Sequence, residues 1–203
     1  MPQKKKLFSF SNIITAVLIL LALGMLMIPG FKATVLQGLM KAGFFQPSIT
    51  TNPTKSTSEK SWEVLLTSSK GEIIDGNALK GKVVFINAWA IWCPPCIAEM
   101  PSINELYKAY RSSGDMVFLT VDADNDLQKS EKFITTKGFD LPVYTSQIAM
   151  PAEWYDGTLP TTIVLDKKGN IVYHHKGAAN YNSPKFKKFI DMLLQQNTAA
   201  KGF

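Results

Sequence analysis

Cysteine is nearly absent: only two of the 203 residues are cysteines. That excludes a scaffold held by several disulfides and a zinc site built on four thiolates. Basic clusters are scarce as well. The formal charge is +6, but Lys4, Lys5 and Lys6 supply half of it, and no run of arginines interleaved with aromatics appears in the rest of the chain. Nucleic acid is therefore not an expected partner. No internal repeat is present. Hydrophobic residues at 46% and charged residues at 19% exclude a chain that is disordered throughout.

The most prominent feature near the N-terminus is an apolar run. Residues 13–28 read IITAVLILLALGMLMI, without a charge, and end at Pro29-Gly30. With residues 7–12 added, a helix rising 1.5 Å per residue reaches about twenty residues, close to the hydrocarbon thickness. Residues 1–30 are therefore expected to be a cytoplasmic basic start and one transmembrane helix. A cleaved signal peptide shares the basic-then-apolar pattern, but the residues after Ile28 make a poor small-residue cleavage site. Either reading exports the rest of the chain. The lysines keep the N-terminus in the cytoplasm, which implies a single-pass protein of the cytoplasmic or inner membrane with an extracytoplasmic, periplasmic domain.

Residues 31–61 form the next segment. Val35, Leu36, Leu39, Met40, Phe44 and Phe45 recur at helical spacing between Lys32 and Lys41, as in an amphipathic helix on the membrane surface or a prolonged anchor. From 46 to 61 the composition turns to Pro, Ser, Thr, Asn and Lys, which predicts a flexible tether. The folded domain is expected over 62–203, a size suited to one core.

Within that domain, 62–67 and 72–75 flank a Ser-Ser-Lys-Gly turn and predict an opening hairpin. The run KVVFINA at 82–88 reads as a strand buried on both faces. Residues 95–110 carry an apolar helical stripe of Ile97, Met100, Ile103, Leu106, Tyr107 and Tyr110, and 116–121 is the next strand. Strand, helix and parallel strand make a right-handed crossover. A short helix at 127–137 and a short strand at 141–145 come next. Asp166-Lys-Lys-Gly-Asn170 then joins 161–165 to 171–175 as a hairpin, and Ser183 caps a last helix with Pro184 in its opening turn.

Both cysteines fall in Cys93-Pro-Pro-Cys96, where the buried strand gives way to the helix. A thiol at a helix start meets unpaired N–H groups and the positive end of the dipole, which favour thiolate, the species that attacks disulfides. A cysteine three residues on has turned back over the first and can resolve a mixed disulfide. A purely structural bridge stabilises little across so short a loop. Metal binding has two thiolates and the adjacent His174 and His175 to draw on, on a predicted strand.

The stretch VVFINAWAIWCPPCIAEMP at 83–101 resembles the active-site segment of the thioredoxin superfamily, and more narrowly the TlpA/ResA-like membrane-anchored thiol-disulfide oxidoreductases. The likeness extends over most of 62–197. It implies an α/β fold: a thioredoxin-like three-layer sandwich with a mixed central sheet and an N-terminal hairpin. It also implies disulfide reduction with Cys93 as the exposed nucleophile and Cys96 as its buried partner, and no dissociable cofactor. Trp92 would pack on the disulfide with Trp89 beneath. Leu159-Pro160 would be a cis-proline segment offering backbone bonds to substrate. Glu99 would tune thiol acidity or move protons, its plain alternative being a helix-surface carboxylate. Asn87 stands where thioredoxin has a buried aspartate and cannot serve as a base. Partners implied are exported disulfide proteins, apocytochromes of c-type cytochrome maturation among them, and a membrane thiol-electron donor of the DsbD/CcdA kind. The alternatives are a disulfide oxidase or isomerase and a copper-binding chaperone of the same fold.

Overall fold

The computed structural model describes residues 10–27, 30–49, 55–56, 62 and 64–196. The expected basic start at Lys4, Lys5 and Lys6, most of 50–61 and the C-terminal 197–203 lie outside them. Helix α1 is Phe10–Met27 and α2 is Phe31–Lys41. Strands and helices then alternate as β1 (Lys55–Ser56), β2 (Leu65–Ser68), β3 (Ile73–Asp75), β4 (Val83–Trp89), α3 (Pro94–Tyr110), β5 (Met116–Asp122), α4 (Leu127–Thr136), β6 (Val143–Ser146), β7 (Thr161–Leu165), β8 (Asn170–Lys176) and α5 (Pro184–Gln195).

One mixed sheet runs in the order β1-β8-β7-β4-β5-β6-β2-β3. β4, β5 and β6 are parallel, and β7 lies antiparallel to β4 with Ala88 opposite Thr161 and Asn87 opposite Thr162. The opening hairpin pairs Leu66 with Ile74 and is stitched through β2 to β6 at the far edge. The closing hairpin owes its turn to Asp166, whose Oδ1 accepts from the N–H groups of Lys168 and Asn170 at 2.9 and 2.8 Å.

Every residue of β4 is buried, as an apolar run in the middle of a sheet requires. Strand alternation divides it between two cores. Val83, Phe85 and Trp89 join Met100, Ile103 and Leu106 of α3, Ile134 of α4 and Phe186, Phe189, Ile190 and Leu193 of α5. Val84 and Ile86 join Leu119, Val121, Ile163 and Leu165 on the other face, closed over by Trp62, Val64, Leu79 and Trp154. The outer layers are thus unequal, with α3, α4 and α5 all on the first face. Successive right-handed crossovers from β4 to β5 to β6 advance in one direction across the sheet, so α3 and α4 fall on the same side. Phe85 holds this face together, its ring 5.3 Å from both Phe118 and Tyr181 and 6.3 Å from Phe186.

The N-terminal segments differ in part from expectation. Along α1, Ile13, Leu18 and Leu20 are exposed. Among the described residues no helix is long and apolar enough to cross a membrane, and the ends of the expected span, at 7–9 and 28, lie outside those residues. α2 does not present its whole apolar stripe outward: Ala33 and Met40 are buried against Ala98 of α3, with Leu36 packed alongside. Leu39, Phe44 and Phe45 stay exposed. Contacts with the domain begin upstream of Trp62, within the expected tether. Pro47 is buried, Ile49 packs on the main core, and Lys55 and Ser56 pair with Ile171 and Asn170 at the sheet edge.

Candidate active site: the dithiol and the buried acid behind it

Strand β4 ends at Trp89, and the chain turns at once into α3. Cys93 is the N-cap of that helix, and its Sγ accepts from the N–H of Cys96 at 3.3 Å. Pro94 and Pro95 occupy the opening turn, where their missing N–H groups cost nothing. The two sulfurs are bonded, with Cα atoms 5.3 Å apart. One helical turn has brought them together, and the helix dipole points its positive end at Cys93. In this oxidised state Cys93 is 3% exposed and Cys96 0%. Cys93 is thus less open than the family resemblance implied, although it remains the outer of the two.

Trp89 is fully buried in the same cluster as both cysteines, its ring 5.8 Å from Phe133. Trp92 behaves differently. It is 65% exposed, and its Nε1–H donates to Asp124 Oδ2 at 2.6 Å. Nothing local in the sequence marks Asp124. It stands in the loop after β5, which buried Asp122 shapes by accepting from the N–H groups of Asp124 and Asp126.

The Leu159–Pro160 peptide is cis. Since Thr161 pairs with Ala88, Pro160 comes to the end of β4 from which the cysteines depart. Its carbonyl accepts from Gly177 N–H at 2.8 Å, and Leu159 packs on the cluster that contains Cys93 and Cys96.

Behind the dithiol lies Glu99, on the same helix and one turn on from Cys96, so the two neighbour each other along one face. It is 0% exposed, which overturns the helix-surface alternative. Oε1 accepts from Asn87 Nδ2 at 2.7 Å and Oε2 from Ala179 N–H at 3.2 Å. Burial is the dominant influence and pushes its carboxyl up to about 8 from an ordinary 4.5, against the opposing pull of those two hydrogen bonds. Asn87 Nδ2 also donates to Thr162 Oγ1 at 2.9 Å. Strand alternation explains the meeting, because Asn87 points to the same side as Phe85 and Trp89, where α3 lies. The Tyr181 and Tyr173 hydroxyls titrate well above their usual range, first through burial and also through the charge on Glu99.

His174 and His175 are consecutive on β8, so they point to opposite sides of the strand. His175 stacks on Tyr173, and burial lowers both imidazoles. Among the described residues no group of three or more His, Cys, Asp and Glu gathers where it can hold a metal ion.

A helix-capping cysteine pair at the end of a central strand, faced by a cis-proline on the neighbouring strand of a mixed sheet, defines a protein of the thioredoxin fold. The Redoxin family profile matches residues 45–190, and the chain belongs to that family. Among curated relatives, a thiol-disulfide oxidoreductase ResA of Bacillus thuringiensis is 37% identical over 109 residues, which is 53% of this chain and 62% of the relative. The ResA of Halalkalibacterium halodurans is 32% identical over 120 residues, covering 59% and 68%. The solved structure of StoA from Bacillus subtilis aligns with a TM-score of 0.51 at 26% identity, over 62% of this chain and 94% of that one. The chain thus matches about three fifths of the length of the first relative.

Proposed function

We propose that this protein is a thiol-disulfide oxidoreductase that reduces disulfides of exported proteins, apocytochromes among them. The observation that carries the reading is the Cys93–Cys96 pair at the start of α3 with buried Glu99 one turn behind Cys96. The likeness to ResA proteins supports it.

In the reduced protein, Cys93 thiolate attacks one sulfur of a substrate disulfide. An S–S bond forms between Cys93 and substrate, the substrate bond breaks, and its other sulfur leaves as thiolate. Cys96 then loses its proton, and Glu99 in its carboxylate form is the buried group nearest along the helix to receive it. The Cys96 thiolate attacks Cys93 Sγ, the mixed disulfide breaks, and the second substrate thiol departs. Two electrons have passed to substrate, and the Cys93–Cys96 disulfide remains. Another dithiol must return it to the reduced state, and a membrane thiol transporter of the DsbD/CcdA kind supplies that chemistry. No dissociable cofactor enters these steps. The Leu159-Pro160 segment lies where a substrate strand can pair beside the cysteines.

The domain works outside the cytoplasm, attached to the bilayer by α1 and the residues flanking it. The exposed, uncharged side chains around α1, Ile13, Leu18 and Leu20 among them, and the lysines preceding the helix support this placement. The test is a Cys96→Ala variant. A mixed disulfide should accumulate through Cys93, and its partner names the substrate. Absence of any adduct, with Cys93→Ser retaining full cellular function, would defeat the proposal. Equilibration of the wild-type protein with glutathione as a strong oxidant would reverse the direction in favour of an oxidase.

A further inference from the structure

α2 meets α3 at a defined weakness in that helix. Pro101 lies inside α3 and has no N–H, so the helical bond to the carbonyl of Ile97 four residues back cannot form. Gln37 of α2 reaches that carbonyl instead, its Nε2 donating at 3.2 Å. The far end of α2 is tied to the loop after β8. Asn180 Nδ2 donates to the Met40 carbonyl at 3.4 Å, and Asn180 N–H donates to the Phe45 carbonyl at 3.0 Å.

The inner side of the same loop is bound to α3. Ala179 N–H donates to Glu99 Oε2 at 3.2 Å, and Tyr181 N–H donates to Ser102 Oγ at 3.1 Å. The loop is thus held between α2 on its outside and the buried acid on its inside. Ala33, Leu36 and Met40 pack on Ala98, but a cavity of about 200 Å³ lies between α2 and α3, lined by Gln37, Met40, Ala98, Ser102 and Asn180, and the directed hydrogen bonds add to that packing.

We infer that α2 is a positioning element of the redox site: pinned to α3 by Gln37 and bonded to Asn180 through the Met40 carbonyl, it holds the loop at 178–181 so that Ala179 N–H stays on Glu99 and water stays out. The inference rests on the exchange reading of the Cys93–Cys96 pair and goes beyond it, since neither residue belongs to the dithiol motif. α2 comes directly after α1, so the orientation of the N-terminal helix is coupled to the acid that serves Cys96. The titratable groups facing Glu99 are Tyr181 of the loop and Tyr173 of β8, with Cys96 a turn away on α3. Lys41 and Glu105 line only the outer cavity.

The experiment titrates Glu99 in the full chain by the infrared carboxyl band that a Glu99→Gln variant lacks, over about pH 5–10. Disulfide reduction is monitored in parallel with insulin as substrate. Gln37→Ala and Asn180→Ala should each shift the midpoint of the band to lower pH, by about one unit, because water then reaches a group whose raised value stems chiefly from burial, an effect larger than the upward push from losing the Ala179 hydrogen bond. The inflection in the rate profile should move with it, and neither substitution should alter the profile further in the Glu99→Gln background. A band midpoint unmoved in both variants overturns the inference, as does an equal change of profile with and without Glu99. Should Asn180→Ala fail to fold, Gln37→Ala on the half-exposed face of α2 carries the test alone. A shifted band in a protein that never reduces insulin sustains the positioning role and counts against the reductase reading, so the two failures are separable.

Discussion

The two sides of the dithiol are built on opposite principles. In front, Trp92 is mostly in solvent and is steadied by one exposed hydrogen bond to Asp124. Behind, Cys96, Glu99, Asn87 and Thr162 are sealed from water, the last three linked by hydrogen bonds. An exposed polar contact is worth little because water competes for both partners, whereas a buried one is costly to break because nothing replaces it. The contrast suits the chemistry. In the proposed exchange the attacking sulfur would meet a substrate disulfide from solvent, while the resolving sulfur would need a proton acceptor whose affinity solvent does not set.

Substitutions at the two sides should therefore differ in size and kind. The largest effect belongs to Cys96→Ala, which should abolish multiple turnover while leaving the first attack intact, read as a stable mixed disulfide on a non-reducing gel. Next comes Glu99→Gln. In the folded chain Glu99 keeps its proton up to about pH 8, against an ordinary 4.5 once unfolded. The native state therefore binds more protons through that window, and stability present below about 4.5 is lost as pH rises through about 8. The glutamine variant should lose this slope and gain on the wild type by several kcal/mol above the window, at about 1.4 kcal/mol per unit. Denaturant melts at both ends of the range measure it, and an unchanged slope would place Glu99 in contact with water.

Asn87→Ala should cost roughly 1–3 kcal/mol, since it strips a donor from both Glu99 and Thr162 in the interior, and the same melts report it. It should also raise the Glu99 carboxyl further, because the Asn87 hydrogen bond opposes the effect of burial. Smallest in stability is Asp124→Ala, at less than about 1 kcal/mol. Its signature should appear in KM for a protein disulfide rather than in kcat, with Trp92 fluorescence becoming more mobile. A loss at Asp124 as large as that at Asn87 would erase the distinction between front and rear.

Much of this fold was readable along the chain. The closing hairpin could be read from Asp-Lys-Lys-Gly-Asn, and α3 was expected from 95 and begins at Pro94, because prolines after a capping residue mark a helix start whatever surrounds them. The family resemblance carried the cis peptide before Pro160. The position of Glu99 was harder to read. It neighbours Cys96 and Met100 on the apolar stripe of α3, yet a carboxyl there gains from the helix dipole whether or not it is buried. Asn87, reaching over from β4, and the N–H of Ala179 show which alternative holds.

The stripe on α2 was ambiguous for a related reason. Amphipathic spacing states that one face seeks an apolar surface, and lipid and protein meet that demand equally well. The partner was decided by the carbonyl that Pro101 leaves open on α3 and by the loop that Asn180 anchors. Neither the Trp92–Asp124 bond nor this docking has a local sequence signal, since each joins residues from separate elements.

Local chemistry in the sequence determined where the strands and helices fall, where the reactive sulfur sits and which end of a helix dipole it meets, because those depend on neighbours along the chain. The tertiary structure alone decided that Glu99 is dry, that Trp92 is wet and that α2 reaches the acid through a loop. Burial is a property of the segments that pack over a residue, and those segments are distant in the chain.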